Sequence, residues 1–246
     1  MSLIAAERIK LVSTRSPWWC AGLAIVASLG LSSLIAVATT KDGQVATVAS
    51  TQLGYTLGMA VVMVMATLAV TTEYSVGTIR TTFMAVPRRT PALLAKASVV
   101  AVLAAVIGLI SAFGAWGVSL LILPGSDLSL TGGDDWRHVA GVGLVYLIAA
   151  VIAVAVAILV RHTAGAVSIV LVWALMAEQL LEIIPGVGEM VGPWLPFRAA
   201  QDFLTAEGPT ADGLLGGGPW VALAYFAVVA AVLLFVATEV ARRRDA

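Results

Sequence analysis

Long uncharged stretches alternate with short charged segments along most of the chain. A hydrocarbon core of roughly 30 Å is crossed by about 20 helical residues, and several of the uncharged stretches reach that length. Backbone groups in lipid must satisfy their own hydrogen bonds, so each crossing segment is predicted to be a helix. The pattern therefore predicts six spans, at about 17–38, 52–71, 93–123, 139–160, 163–183 and 219–238.

Composition supports this interpretation. Hydrophobic residues make up 60% of the chain and charged residues only 11%, whereas a soluble domain carries roughly 25% charged residues. The expected fold class is an all-α polytopic membrane protein. We expect one transmembrane domain over residues 1–246. No internal repeat is evident, which argues against an inverted-repeat secondary transporter.

The positions of Lys and Arg predict the orientation of the spans. Loops on the cytoplasmic side of a membrane carry an excess of these two residues. If the N-terminus is cytoplasmic, eleven of the fourteen fall inside and three fall outside. The sequence thus predicts a multi-pass protein of the cell inner or plasma membrane with both termini cytoplasmic. The inside set is Arg8, Lys10, Arg15, Arg80, Arg88, Arg89, Lys96, Arg161, Arg242, Arg243 and Arg244, and the outside set is Lys41, Arg137 and Arg198.

The N-terminal segment, residues 1–16, mixes apolar residues with Glu7, Arg8, Lys10 and Arg15. As a helix it has an imperfect apolar arc, because the two arginines project into that arc. Long Arg side chains can extend towards water, so a helix lying in the membrane interface is one interpretation. The other is an ordinary basic flank of the first span.

A polar interruption separates the second and third spans at residues 73–90. Glu73 follows the second span, and Gly77 permits a sharp turn because glycine adopts positive φ at little cost. Thr78 is a candidate N-cap for a short helix over about 78–85. Such a helix would carry apolar and basic side chains, and this mixture favours a contact with a protein partner. The alternative is a tight turn whose arginines only set the topology.

The interruption resembles a known family. Glu73, Gly77-Thr78, Pro87-Arg88 and Lys96, placed between the second and third of six spans, are similar to the permease subunit of type-2 ABC exporters. In that family an acidic residue closes the second span, and a Gly-Thr step begins a cytoplasmic coupling helix. The resemblance implies that this loop contacts an ATPase through Glu73, Tyr74, Gly77, Thr78, Ile79, Arg80, Phe83 and Arg88.

A second similarity lies before the last span. The family places short re-entrant helices on the outer side there, and residues 184–204 are similar. Two features depart from the family pattern. Tyr74 stands where another charged residue is frequent, and the outer loop 39–51 is short.

The resemblance implies an ATP-driven exporter subunit that binds no nucleotide itself. The chain has no G-x-x-x-x-G-K-[ST] phosphate loop, so ATP and Mg are expected on a separate partner. We expect no catalytic residue, cofactor or metal site on this chain. The expected partners are two ABC ATPase subunits, a second permease copy or a paired permease, and membrane lipids, but no nucleic acid. The implied activity is bacterial export of an amphipathic, lipid-like or drug-like substrate, as in multidrug efflux or self-resistance.

Polar and polarisable residues in the spans suggest a substrate path. From Thr163 to Glu178 is only about 22 Å of helix, so Glu178 is placed in the outer part of the hydrocarbon, where carboxylates usually face a cavity or a partner. A helix shifted outward, with the glutamates at the interface, is the alternative. The candidate path residues are Met59, Met63, Trp173, Met176, Glu178 and Glu182.

Two other function classes stay open. An intramembrane enzyme would need a nucleophile and a base within the bilayer, but motifs such as G-x-S-x-G and H-E-x-x-H are missing. A non-transporting membrane anchor or an immunity protein has no motif that distinguishes it from an exporter.

Overall fold

The computed structural model describes residues 3–41, 46–77, 89–206 and 217–243. Every regular element in these ranges is helical, with no strand among them. Six helices are long and apolar enough to cross a membrane. This confirms the predicted class of an all-α, six-span protein.

A short N-terminal helix, Leu3–Ser13, precedes the spans. The first span is a single helix, and a 3₁₀ turn at Ala49–Gln52 leads into the second. The fifth span is continuous but contains a π-helical turn at Trp173–Ala177 between two α-helical parts. In order, the spans are Arg15–Lys41, Tyr55–Val76, Arg89–Ile122, Gly133–Val160, Thr163–Ile183 and Gly218–Arg243.

The third span is the longest helix. Its 34 residues correspond to about 51 Å, well beyond the thickness of a hydrocarbon core. The helix begins at Arg89, four residues before the predicted span 93–123, and includes Pro91 in its first turn. Proline is accepted there because N–H groups in the first turn of a helix have no intrahelical partner.

The fourth span lies at the centre of the bundle. It packs against the third, second and sixth spans, and Tyr146 within it is fully buried. The Tyr146 hydroxyl donates a hydrogen bond of 2.8 Å to the backbone carbonyl of Tyr55. The small Ala and Val side chains of this span let its neighbours approach closely on several sides.

Gly54 and Gly58 form the close approach of the first and second spans. The Gly54 N–H donates to Ser32 Oγ at 3.1 Å, and a Cβ at Gly54 would overlap Ser28 and Ser32 of the first span. A Cβ at Gly58 would overlap the Tyr146 hydroxyl. The G-x-x-x-G spacing therefore marks a packed helix contact in this protein.

Short helices fill the segment between the fifth and sixth spans, where the sequence predicts re-entrant helices over 184–204. They are Val187–Val191, a 3₁₀ turn at Gly192–Trp194, and Pro196–Thr205. We call Pro196–Thr205 the interspan helix. Its apolar side chains, including Phe197 and Phe203, are buried against the fourth and sixth spans.

The orientation of the bundle is a prediction from the Lys and Arg distribution. In a Cys20→Ala background, we expect Ser126→Cys to react with a membrane-impermeant maleimide on intact cells. Ala85→Cys should react only after the membrane is permeabilised, because residue 85 lies in the loop predicted to face the cytoplasm. Labelling in the reverse order would show that the orientation is inverted.

Candidate functional site

A buried ionic cluster joins the N-terminal helix to the second and third spans. Lys96 Nζ donates to Glu7 Oε2 at 2.5 Å and to Glu73 Oε1 at 2.8 Å. Lys10 Nζ donates to Glu7 Oε1 at 3.0 Å and to Glu73 Oε1 at 3.3 Å. We call these four residues the ionic cluster. It fixes the second and third spans to the N-terminal helix, and the predicted loop 73–90 begins and ends within these two helices, which include residues 73–76 and 89–90.

Burial makes the pairing important. The side chains of Lys96, Glu7 and Glu73 are 5%, 8% and 13% exposed, whereas Lys10 is 47% exposed. A charge placed out of water is costly unless it is paired and hydrogen-bonded, so removing one partner of a buried ion pair is strongly destabilising. Lys96 bridges both carboxylates and is itself almost fully buried, so the cluster depends on it most.

Burial and ion pairing have opposite effects on the pKa of the Glu7 carboxyl. Burial raises the pKa of Glu7, but hydrogen bonds and charges from Lys96 and Lys10 outweigh burial and hold the pKa below its ordinary value. Since the folded-state pKa is the lower one, the stabilisation is present above the unfolded pKa and is lost as the pH falls through the folded pKa. The cluster is therefore weakened by acid.

Local sequence places the four groups. The second span ends at Gly77, which has φ 78° and donates its N–H to the Tyr74 carbonyl at 3.3 Å, so Glu73 lies in the last turn of that helix. Lys96 follows the N-terminal turns of the third span. Glu7 and Lys10 are three residues apart and share one face of the N-terminal helix.

Tyr74 makes a separate contact at the end of the second span. The guanidinium of Arg161 lies 5.3 Å from the centre of the Tyr74 ring, a cation–π geometry. Arg161 ends the fourth span with φ 57°, in the short connection to the fifth span. Tyr74 thus joins the second span to this connection.

The remaining residues predicted to contact an ATPase lie outside the described part of the chain. These are Thr78, Ile79, Arg80, Phe83 and Arg88, together with the predicted helix over about 78–85. The structure places Glu73, Tyr74 and Gly77 directly before that segment.

Glu178 binds the N-terminus of the interspan helix. It is 5% exposed, and its Oε2 accepts the backbone N–H of Arg198 at 2.9 Å. A carboxylate is favourable at this end of a helix, where N–H groups lack partners. Glu178 directly follows the π-helical turn Trp173–Ala177, a distortion that is frequent at functional sites.

Arg137 binds the opposite end of the same helix. Its guanidinium donates to the carbonyls of Phe203 and Ala206, the latter at 2.5 Å, and His138 contacts the Leu204 carbonyl. A cation is favourable at a helix C-terminus. The interspan helix is thus held by an anionic side chain at its N-terminus and a cationic one at its C-terminus.

The candidate path residues are divided between two environments. Met59 and Met63 belong to the packed core, and Met63 has no exposed surface, so it lines no cavity in this conformation. Met176 is 55% exposed on the fifth span. Trp173 packs edge-on against Phe197 of the interspan helix, with 5.6 Å between ring centres.

Glu182 also contacts the interspan helix, but through the side chain of Arg198. Its Oε1 lies 3.0 Å from the Arg198 guanidinium, which also approaches Asp202 at 3.7 Å. The structure therefore brings Trp173, Glu178 and Glu182 together at this helix, and Trp173 packs against the same core that contains Met59 and Met63.

Sequence reasoning missed several of these partners. The sequence places Glu7 and Lys10 in a segment interpreted either as an interfacial helix or as a basic flank, and Arg137 among three outside cations, and it pairs none of them with a partner. One signal was available for Glu7, since it is the only acidic residue in a segment that also holds three cations. No local signal pairs Arg137 with carbonyls near residue 205.

Comparison with known proteins identifies the family. The family model described as ABC-2 family transporter protein matches residues 3–177. The match covers all four members of the ionic cluster and ends just before Glu178. No curated protein matches the chain. Because the match spans well over half of the 246 residues, the chain belongs to the ABC-2 transporter family and is a membrane component of a transporter.

Proposed function

We propose that this chain is the membrane-spanning subunit of an ATP-driven exporter. It moves an amphipathic, lipid-like or drug-like substrate outward, while a separate pair of ATPase subunits binds ATP and Mg. Two permease chains, identical or paired, complete the transporter. Family membership and the lack of a phosphate loop in the sequence support this proposal.

The observation that carries the proposal is the position of the ionic cluster. Lys96 binds Glu7 and Glu73 at once, so the two spans that enter and leave the loop 73–90 are joined to one short helix. An ATPase that pushes on this loop would therefore move both spans and the N-terminal helix together. Nucleotide-driven closure would in this way open a lateral path between the permease chains.

Open space beside the cluster would allow such a movement. A cavity of about 580 Å³ lies beside it, lined by Glu7, Lys10, Glu73 and Lys96 of the cluster together with residues such as Met65 and Leu68 of the second span. Packed interiors resist small displacements, whereas open space beside a charged contact lets the N-terminal helix shift without steric conflict. The geometry thus fits a contact that changes during a transport cycle.

The proposal is tested by isolating the chain with its partner. We expect a tagged chain to co-purify with a subunit that contains a phosphate loop, in equal amounts, and the complex in vesicles to hydrolyse ATP and accumulate a hydrophobic dye. Replacing the phosphate-loop Lys of the partner should abolish both activities. Dye movement that continues with this partner variant would show that the chain is not an ATP-driven exporter.

Variants in the loop test the site of contact. We expect Phe83→Ala, Arg80→Ala and Gly77→Val to weaken ATPase co-purification or to uncouple hydrolysis from export, since hot spots in such contacts are few and central. Thr81→Ala is the matched control, because residue 81 would face away from Phe83 in a helix. Full complex formation and full transport by the first three variants would show that the loop is only a turn whose arginines set the topology.

A further inference from the structure

An apolar groove runs along the outside of the bundle beneath the N-terminal helix. Its volume is about 430 Å³, which is within the range of roughly 300–1,000 Å³ found for small-molecule sites. The groove adjoins the cavity that borders the ionic cluster, since Leu11 and Pro17 line both. Side chains from three elements line it: Ile4, Val12, Trp18, Val102, Leu103 and Val106.

The apolar walls are open to the surroundings. Ile4, Val12, Trp18 and Val102 are each more than half exposed. The Trp18 ring is held in place, because its Nε1 donates to the Val12 carbonyl at 3.1 Å. A preformed wall with a fixed aromatic ring favours one elongated apolar occupant rather than collapse of the groove.

The depth of the groove matches one membrane leaflet. Along the third span it extends from Ser98 to Val106, about 12 Å of helix. Half of a hydrocarbon core is roughly 15 Å. The groove also begins directly after Lys96, at the end of the bundle where the N-terminal helix lies, so its apolar part is at the depth of acyl chains in the nearest leaflet.

A cationic side chain stands at the groove. Arg8 contributes to the lining and is exposed, and within the described residues no ion pair or hydrogen bond engages its guanidinium. Its neighbours Glu7 and Lys10 are bound in the ionic cluster. Arg8 therefore offers a full positive charge, and arginine binds phosphate oxygens in a bidentate manner.

We infer that the groove binds an anionic phospholipid of the adjacent leaflet. One acyl chain lies between the N-terminal helix and the first and third spans, and the lipid phosphate binds Arg8. The positive charge of Arg8 in the lining, the apolar walls and the single-leaflet length together favour this occupant. The site does not depend on ATP-driven export and would exist on the isolated chain.

Such a lipid would complete the attachment of the N-terminal helix. The polar face of that helix is fixed by Glu7 and Lys10, and its apolar face, which includes Ile4 and Val12, would be fixed by the acyl chain. Anionic lipid would thereby set the position of a helix that also contacts both spans beside the loop 73–90.

The experiment uses quenching of tryptophan by brominated acyl chains. The full chain is placed in phosphatidylcholine vesicles in which a minor fraction of the lipid is brominated phosphatidylglycerol or, separately, brominated phosphatidylcholine. The Trp18 signal is the difference between the wild-type chain and Trp18→Phe. We expect brominated phosphatidylglycerol to quench Trp18 at about fivefold lower mole fraction, a ratio that corresponds to about 1 kcal/mol for one basic residue at an anionic surface.

Two variants decide the assignment. Arg8→Gln should remove the preference, whereas Arg15→Gln, which changes an exposed cation that does not line the groove, should keep it. Leu103→Phe should crowd the groove and weaken the preference without changing any charge or adding a tryptophan. Equal quenching by the two brominated lipids, or a preference that survives Arg8→Gln, would overturn the lipid site and leave the proposed export function unaffected.

Discussion

Replacing Lys96 by Met is expected to destabilise the folded protein by about 3–5 kcal/mol, the cost of leaving a buried charge without its partner. The change removes the only almost fully buried cation of the ionic cluster and leaves the Glu7 and Glu73 carboxylates close together. Thermal unfolding in detergent, followed by loss of the monodisperse fraction, should shift downward on the order of 10 °C. The N-terminal helix should also become accessible to protease.

Lys10→Met is the matched control. Lys10 contacts the same two carboxylates but is 47% exposed, and exposed ion pairs contribute about 0–1 kcal/mol. Adding Glu7→Gln to Lys96→Met should recover part of the loss, because one of the two unpaired carboxylates becomes neutral. Equal effects of Lys96→Met and Lys10→Met would contradict the assigned importance of burial.

Replacing Arg137 by Met is expected to release the interspan helix. The Arg137 side chain is 2% exposed, and without it the carbonyls of Phe203 and Ala206 lose a charged donor. A buried acceptor left unpaired costs about 1–3 kcal/mol, and here two are affected. Amide exchange over residues 196–205 should accelerate about 100-fold, as measured by mass spectrometry, while exchange in the fourth span stays slow.

Arg198→Met provides the comparison on the same helix. Its side chain is 44% exposed, so loss of its pairs with Glu182 and Asp202 should change the exchange only slightly. A second comparison, at the N-terminus of the interspan helix, separates the charge of Glu178 from its hydrogen bond. Glu178→Gln removes the charge but keeps an acceptor for the Arg198 N–H, whereas Glu178→Leu removes both. Unchanged protection in Arg137→Met would show that packing of Phe197 and Phe203 alone holds the helix.

The number and kind of spans could be predicted because the membrane imposes them. Uncharged stretches such as 97–126 are long enough to cross a hydrocarbon core, and helices are the structures that satisfy backbone groups there. Boundaries were less predictable. The second span's helix continues to Val76, five residues beyond the predicted span 52–71, because its last turn extends past the apolar stretch to Gly77.

The contacts of individual charges were not predictable in the same way. Glu7 and Lys96 are 89 positions apart, and no periodicity in the sequence relates them. The sequence marks Glu178 as a carboxylate near the end of an apolar stretch, but its hydrogen bond to the N-terminus of the interspan helix depends on how the chain returns after the fifth span. Local patterns report which residues are unusual, and tertiary packing decides what they bind.

The charge balance of the ionic cluster has an electrical consequence. A single elementary charge that moves through the membrane potential exchanges about 2.3 kcal/mol with the field for every 100 mV. The cluster contains two carboxylates and two ammonium groups, so a shift of all four together does no net work against that field. The cluster therefore adds no voltage sensitivity to a motion that carries Glu7, Lys10, Glu73 and Lys96 as one unit, and any such sensitivity would come from other charges on the moving helices, such as Arg8.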